Sequence, residues 1–324
     1  SSDVQPRLVG RQPSSFSGTR WGALGDDLAR KSGKRVNLRS IYKGITRSMS
    51  SRTSTLIKVG ASAIAAALLV SVTTSSAPAN AALPTLTSGY LTIGTDDPAY
   101  GPWFDNNTPS NGKGFESAVA YAVAKQLGFD AAHVKWVKAP FGTVIQPGKK
   151  SFDFDINQIS ITAERQKAVD FSSGYYDVAQ TVVALKSSKI ATAKTIAALS
   201  AAKLGAATGT TSLTAITSTI KTKAQPSVYN TNDLAVAALS AKQIDGIVVD
   251  LPTAFYLSAT VKDAVIVGQI PTSGKTEQFG LVLTKGSKLT AQVSAAVDAL
   301  RKNGTLKTLA AKYLANTGGA PVLK

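Results

Sequence analysis

Short apolar runs alternate with amphipathic stretches from Leu91 onward, and this alternation restricts the fold more than any other feature of the chain. The apolar runs have the length of strands, whereas the apolar positions of residues 115–127 recur at helical spacing. Strands that alternate with helices form a largely parallel sheet with helices on its faces. We therefore predict an α/β fold with strands at residues 91–94, 134–137, 154–158, 181–185, 203–207, 246–249, 264–267 and 279–283.

The composition changes after residue 185 to Ala, Thr, Ser and Lys, which indicates that the chain enters a second lobe. We assign residues 82–183 and 280–324 to the first lobe and residues 184–279 to the second. Each lobe is expected to be a mostly parallel sheet flanked by helices. The chain crosses between the lobes twice, near residues 182–184 and 278–280, and the two crossing strands form a hinge. The longer helices are predicted at residues 115–127, 232–241, 288–302 and 305–314, with others opening at residues 208–212 and after Asp250.

A short helix follows the strand at residues 154–158 and carries an arginine in its first turn. Thr162 is a good N-cap for this helix, and Glu164 suits the positive end of the helix dipole. Arg165 does not suit that end, so its position indicates an anion nearby. A guanidinium beside free backbone N–H groups can clamp a carboxylate. The alternative is a surface arginine paired with Asp170 or Glu164, and the segment alone leaves both possibilities open.

The arginine segment is one of an ordered set of motifs. It reads Ser-Ile-Thr-Ala-Glu-Arg from Ser160 and continues as Val-Asp-Phe-Ser from Val169, with Tyr-Tyr at residues 175–176. The other motifs are residues 91–96, 114–116, 209–212, 245–250, 279–283 and 300–306. In order and spacing they resemble the family-three extracellular solute-binding proteins, the polar amino acid-binding proteins of ABC importers, over residues 88–316.

The resemblance implies a two-lobed fold of the type II periplasmic-binding-protein kind. It also implies a function without catalysis. The protein would bind a polar L-amino acid, with a cationic or amide side chain, and deliver it to the permease of an ABC transporter. Ligand-induced closure of the lobes would couple the two steps. We expect a monomer.

An amino acid zwitterion needs one site for its carboxylate and another for its ammonium. The family's carboxylate-binding arginine falls on Arg165, and its ammonium-binding aspartate falls on Asp250. Asp250 follows a buried strand, where an unpaired charge is costly. It is also placed to act as the N-cap of the next helix, and the two roles are compatible. The groups expected to assist are Ser160, the backbone of Gln158, Thr210 and Thr211.

A second group of residues is expected to recognise the side chain of the ligand. Tyr100 and Phe141 can sandwich its aliphatic or guanidinium part, while Asp97 accepts hydrogen bonds from its polar end. Two amides, larger than the small residue usual in the family, would form the floor of the pocket. Packing within the loop is the alternative role for Tyr100 and Trp103. The full group is Asp97, Tyr100, Trp103, Phe141, Asn157 and Gln158.

The N-terminal part of the chain has the pattern of a secretory signal peptide at residues 49–81. Met49 opens a short basic region, residues 59–72 form an apolar run, and Ala79-Asn80-Ala81 is a small-x-small cleavage pattern. The apolar run is shorter than the roughly 20 residues that span a bilayer, which favours a signal peptide over the alternative of a retained membrane anchor. Residues 1–48 are interpreted as disordered or non-native. We expect secretion to the periplasm or cell envelope, without a lipid anchor because no cysteine is present.

Composition excludes several other kinds of site. The chain has no cysteine and a single histidine, His133, which makes a zinc site or a Ser-His pair improbable. We predict no metal and no cofactor. The formal net charge is +17, but the lysines are scattered without interleaved aromatic residues, so nucleic acid is not an expected partner.

Two other functions remain as alternatives on this fold. A dehydratase-like enzyme would need a general acid or base in the cleft besides the ion-pair residues. Only Asp97 and Glu116 are candidates, and Glu116 is more simply explained as a helix-start carboxylate. A ligand-sensing domain is the other alternative.

Overall fold

The computed structural model describes residues 83–272, 274–314 and 319–324. These residues belong to one compact unit that extends from Ala77 to Lys324. The predictions for residues 1–48 and for a signal peptide at residues 49–81 lie outside the described residues. Within the described ranges, every helix is too short or too polar to cross a membrane.

The described residues contain ten strands in two five-stranded sheets, with helices on both. The strands are β1 (Leu91–Thr95), β2 (Val134–Lys138), β3 (Phe154–Asp155), β4 (Val169–Val178), β5 (Gln180–Leu185), β6 (Leu204–Ala207), β7 (Ser227–Tyr229), β8 (Gly246–Asp250), β9 (Ala264–Gln269) and β10 (Glu277–Thr284). The α-helices are α1 (Phe115–Gln126), α2 (Phe141–Val144), α3 (Ala163–Ala168), α4 (Thr211–Ala215), α5 (Asn232–Ser240), α6 (Leu251–Thr260), α7 (Thr290–Lys302) and α8 (Thr305–Tyr313). The predicted two-lobed α/β fold is confirmed.

The first lobe is built on the sheet β2-β1-β3-β10-β4. β1 is an interior strand that pairs in parallel with β2 and β3, and all five of its residues are buried. Ile93 packs with α1, α7 and α8 on one face of the sheet, where Phe115, Leu300 and Leu306 share its apolar cluster. The C-terminal helices therefore pack on the first lobe, as predicted.

The second lobe is built on the sheet β7-β6-β8-β5-β9. β6 pairs in parallel with β7 and β8, while β5 is antiparallel to β8 and β9. In the first sheet, β10 is likewise antiparallel to β3 and β4. The prediction of mostly parallel sheets is therefore wrong, because strands at the crossings between the lobes enter each sheet in the opposite direction.

The crossings occur earlier in the chain than predicted. Only Ala179 separates β4 of the first sheet from β5 of the second, so residues 180–183 belong to the second sheet. The return lies between Gln269 and Glu277, where β9 ends and β10 begins. The C-terminal tail also differs from its assignment to the first lobe. Its Leu323 packs in a core cluster of the second lobe, and its backbone N–H donates to the carbonyl of Gln269.

Three local features depart from the sequence predictions. The strand predicted at residues 154–158 ends at Asp155, since the next residues turn into a loop in which Gln158 has a φ of 47°. That left-handed conformation is uncommon for a residue with a side chain and cannot continue a strand. The ten-residue strand β4 and the edge strand β7 were not predicted.

Candidate functional site

Arg165 lies in the cleft between the lobes, in the first turns of α3. The Thr162 hydroxyl caps this helix by accepting from the Arg165 backbone N–H at 3.2 Å. The guanidinium is 8% exposed, and its Nη1 donates to the carbonyl of Ser160 at 2.8 Å. Its Nη2 donates across the cleft to the carbonyl of Gly209 at 2.9 Å. The Phe141 ring lies 5.4 Å from the guanidinium carbon.

The alternative of a surface arginine is wrong. Glu164 pairs with Lys167 at 2.6 Å, and Asp170 pairs with Lys285 at 3.2 Å. Among the described residues, no carboxylate oxygen lies within 4.0 Å of the Arg165 guanidinium. Burial lowers the pKa of Arg165, while Glu277 and Asp250 act in the opposite direction. A buried cation without a carboxylate in contact is suited to bind an anion.

Asp250 is the last residue of β8, on the opposite lobe. Its side chain makes no capping hydrogen bond to α6, so the interpretation as an N-cap is wrong for the side chain. The amide Nε2 of Gln180 donates to its Oδ1 at 2.8 Å. Burial raises the pKa of Asp250 to about 7, and repulsion by Glu277 adds to the shift, while Arg165 opposes it. The pair of Asp250 and Arg165 thus places opposite charges on the two lobes.

Glu277, the first residue of β10, supplies a carboxylate that sequence reasoning missed. Its Oε1 accepts from the hydroxyls of Ser160 and Thr211, the latter at 2.7 Å. Both of its oxygens lie 3.2 Å from Nε2 of Gln180, the nitrogen that also donates to Asp250. Donors from both lobes therefore converge on this carboxylate.

Glu116 lies in the first turn of α1, as expected, but its carboxylate is completely buried. It accepts from the backbone N–H of Gln158 at 2.7 Å, from the Gln158 side-chain amide and from the Tyr175 hydroxyl. Burial raises the pKa of Glu116 to about 7, although these hydrogen bonds lower it. Glu116 therefore holds the loop that leads to Arg165 in its left-handed turn, and it engages the amide predicted to contact the ligand.

Polar groups near this loop are buried without partners. Asn157 is 8% exposed and its Nδ2 has no hydrogen-bond partner, and neither carboxylate oxygen of the fully buried Asp155 has one. Burial raises the pKa of Asp155 well above its usual range, and the nearby Glu116 adds to the shift. These groups sit at the end of β3, directly before the segment that contributes Ser160.

The aromatic residues of the loop after β1 connect the lobes. The Tyr100 hydroxyl donates to Oδ2 of Asp233 at 2.9 Å, and Nε1 of Trp103 donates to Oγ1 of Thr253 at 3.0 Å. Trp103 is only 1% exposed and packs against core aromatic rings, which fits the packing alternative better than contact with a ligand.

Two predicted site residues are used elsewhere. Asp97 is half exposed and pairs with Lys138 at 3.2 Å, so the structure does not bring it to Arg165. The neighbouring carboxylate of Asp96 instead accepts from the Phe141 backbone N–H at 3.3 Å. The Thr210 hydroxyl caps α4 and donates to the carbonyl of Ala207 at 2.7 Å.

The structure therefore brings fewer of the predicted site residues together in the cleft, and it adds Gln180 and Glu277 to them. Gln180 and Glu277 begin β5 and β10, the strands next to the two crossings between the lobes. A polar residue at the start of an otherwise apolar strand is the sequence signal that could have revealed them. The predicted residues that meet in the cleft are Arg165, Phe141, Ser160, Thr211 and Asp250.

The chain is similar to several known proteins. The chain is 29% identical to an L-arginine-binding protein of Pseudomonas aeruginosa over 66% of this chain and 84% of that protein. It is 29% identical to the lysine/arginine/ornithine-binding periplasmic protein of Escherichia coli, over 78% and 96%. Among solved structures, an ancestral amino acid-binding protein described as a precursor of cyclohexadienyl dehydratase superposes with a TM-score of 0.57 at 28% identity, over 70% of this chain and 95% of that one.

Residues 91–316 match the model of the bacterial extracellular solute-binding proteins, family 3. The match covers both lobes and every residue that meets in the cleft. The chain therefore belongs to the family 3 bacterial extracellular solute-binding proteins.

Proposed function

We propose that this protein binds a polar L-amino acid outside the cytoplasm and delivers it to the permease of an ABC transporter. The observation that carries the proposal is that Arg165, Asp250 and Glu277 lie near enough in the cleft to act on one another electrostatically. The guanidinium suits the ligand's carboxylate, and the carboxylates suit its ammonium. Among the three ionisable groups, acids outnumber the base by two to one, which favours a ligand with an additional positive charge.

Two of the relatives support a cationic ligand. One relative is described as binding arginine and another as binding lysine, arginine and ornithine. The ring of Phe141 stacks near Arg165 and offers a face to a flat or aliphatic side chain. We therefore infer a basic amino acid, with an amide side chain as the second choice.

Delivery is proposed to depend on closure of the lobes. Several hydrogen bonds already join the lobes across the cleft, among them those from Arg165 to Gly209, from Tyr100 to Asp233 and from Trp103 to Thr253. A ligand whose carboxylate and ammonium bind to different lobes reaches its full interaction energy only when the lobes are closed. Binding then shifts the equilibrium toward the closed form by that energy difference. A permease that recognises the closed form would receive the loaded protein.

The cleft supports binding without catalysis better than it supports a dehydratase-like activity. The two carboxylates considered as a general acid or base are both engaged, Asp97 with Lys138 at the surface and Glu116 with Gln158 and Tyr175 beneath the cleft. A general acid or base must reach the reacting proton directly or through one water. Neither carboxylate is placed beside Arg165.

The first experiment is a thermal-shift screen of the full chain with the twenty amino acids, ornithine and citrulline. Basic amino acids should raise the melting temperature most. Recovery of the ligand unchanged after incubation tests the absence of catalysis. A chain that no amino acid stabilises, or one that converts its ligand, would contradict the proposal.

Arg165→Ala should then abolish or severely weaken binding of L-arginine in titration calorimetry. Truncating one partner of a desolvated charge pair costs about 2–5 kcal/mol, which is roughly 30-fold to several thousand-fold in affinity. Arg301→Ala is the matched control, because Arg301 also donates to a backbone carbonyl of the first lobe, that of Gly174, but lies outside the cleft. A loss below about threefold for Arg165→Ala, under 1 kcal/mol, would place the carboxylate site elsewhere.

A further inference from the structure

Two acidic side chains of the cleft share a single amide donor. Nε2 of Gln180 lies 2.8 Å from Oδ1 of Asp250 and 3.2 Å from both oxygens of Glu277. An amide nitrogen carries two hydrogens and cannot satisfy both carboxylates fully. The two acids, one from β8 and one from β10, therefore approach the same nitrogen and compete for its two hydrogens.

The surroundings of this nitrogen are short of positive charge. Arg165 acts electrostatically on both acids, but its two hydrogen bonds go to backbone carbonyls rather than to either carboxylate. The buried Glu116 acts unfavourably on Asp250, as does Glu277. Two like charges held this close are stabilised by a cation placed between them.

The remaining donors to Glu277 are hydroxyls, those of Ser160 and Thr211. A hydroxyl can rotate and accept a hydrogen bond from an incoming donor instead. An ammonium with three N–H groups could thus bond to both carboxylates and to a hydroxyl without displacing the backbone. A carboxylate brought to the same point would meet Glu277 as a like charge.

We propose that Glu277 determines specificity as a second carboxylate, beside Asp250, that receives the α-ammonium of the ligand. The inference rests on the proposed function and deepens it. It makes the cleft select for a primary ammonium next to the ligand's carboxylate, and it disfavours the corresponding acids that lack the ammonium. The resulting excess of negative charge also favours ligands with a net positive charge.

The test is Glu277→Gln in the full chain, a substitution that preserves size and removes the charge. Binding of L-arginine and of its deaminated analogue 5-guanidinopentanoate is measured by direct and competition calorimetry, with L-glutamine and glutaramate as a second pair. The variant should bind the amino acid about tenfold or more weakly. It should bind the deaminated analogue as well as the wild type or better, because a like charge has been removed.

Two other variants complete the design. Glu277→Asp keeps the charge and should recover part of the affinity for the amino acid. Glu164→Gln removes an exposed carboxylate that is paired only with Lys167 and should change neither affinity.

Each contrary outcome has its own meaning. Equal losses for the amino acid and its analogue would reduce Glu277 to a structural role and overturn the inference. Stronger binding of both would make Glu277 a competitor of the ligand's carboxylate and would also overturn it. In both cases the wild type still binds, so the proposed function survives. A wild type that binds no amino acid in either pair or in the screen contradicts the proposed function itself.

Discussion

Replacing the buried Glu116 by Gln should remove a pH dependence of stability that the wild-type protein shows. The Glu116 carboxylate is completely buried, and its pKa is raised to about 7 from the ordinary 4.5. Between about pH 4.5 and about pH 7, the folded protein therefore keeps a proton on Glu116 that the unfolded chain loses. Stability contributed by this group is complete below about pH 4.5, falls as the pH rises toward 7, and is constant above that.

The expected magnitude follows from the size of the shift. Each pKa unit corresponds to about 1.4 kcal/mol, so a shift from 4.5 to about 7 corresponds to about 3 kcal/mol of lost stability between acid and neutral pH. Glutamine cannot titrate. The free energy of unfolding of Glu116→Gln minus that of the wild type should therefore increase by about 3 kcal/mol between about pH 4 and about pH 8.

The assay is urea unfolding of both full-length proteins across that pH range. The measured quantity is how the stability difference between the two proteins changes with pH. Any pH-independent cost of replacing the hydrogen bonds from Gln158 and Tyr175 therefore cancels. Glu164→Gln, with a side chain that is 81% exposed, is the matched control. A difference that stays constant within about 0.5 kcal/mol, or that decreases with pH, would refute the reasoning.

Two further predictions concern the ligand and the closure. Asp250→Asn should weaken binding of L-arginine about tenfold or more while changing that of 5-guanidinopentanoate little, because only the former carries the ammonium. Equal losses in calorimetry would contradict the role of Asp250. Tyr100→Phe removes the hydrogen bond to Asp233 and should lower affinity about 2- to 10-fold, as expected for one net hydrogen bond. It should also make the radius of gyration measured by small-angle scattering larger than that of the wild type, with Tyr121→Phe as the control within the first lobe. An unchanged radius for Tyr100→Phe would show that this bond does not hold the lobes together.

The position of Arg165 in the first turn of a helix could be predicted because its signals are local, whereas its place in the cleft was inferred from the resemblance. An N-cap threonine three residues before it sets the start of α3, and the apolar strand before the loop directs that helix toward the edge of the sheet. Local hydrogen bonds of this kind can be predicted from the sequence. The position of Asp250 at the end of a buried strand could be predicted in the same way, whereas its proposed contact with the ammonium came from the resemblance.

The choice between Asp96 and Asp97 could not be made from sequence. The Asp96 carboxylate contacts Phe141 and the Asp97 carboxylate contacts Lys138, so a shift of one residue in the assignment exchanges one environment for the other. The resemblance favoured Asp97, and the apolar pattern does not test that choice, because both residues are acidic and both follow β1.

Gln180 and Glu277 escaped prediction for a different reason. They are 97 residues apart, and their contact exists only because the chain crosses between the lobes twice at neighbouring points. Periodicity reports which face of a strand is buried, but it carries no information on which strand ends meet in space. The crossings are predicted a few residues too late, so that Gln180 and Glu277 fall just before the predicted strands at residues 181–185 and 279–283.

The position of these two residues also explains how the cleft combines contributions from both lobes. Gln180 follows the outward crossing, and Glu277 begins the strand that returns the chain to the first lobe. Between them they contact Ser160 of the first lobe and Thr211 and Asp250 of the second. In the proposed closure the lobes pivot at the crossings, so a polar group at either crossing would change its neighbours. A ligand that bonds to these groups is therefore sensitive to the angle between the lobes, and this is the physical requirement for coupling occupancy to closure.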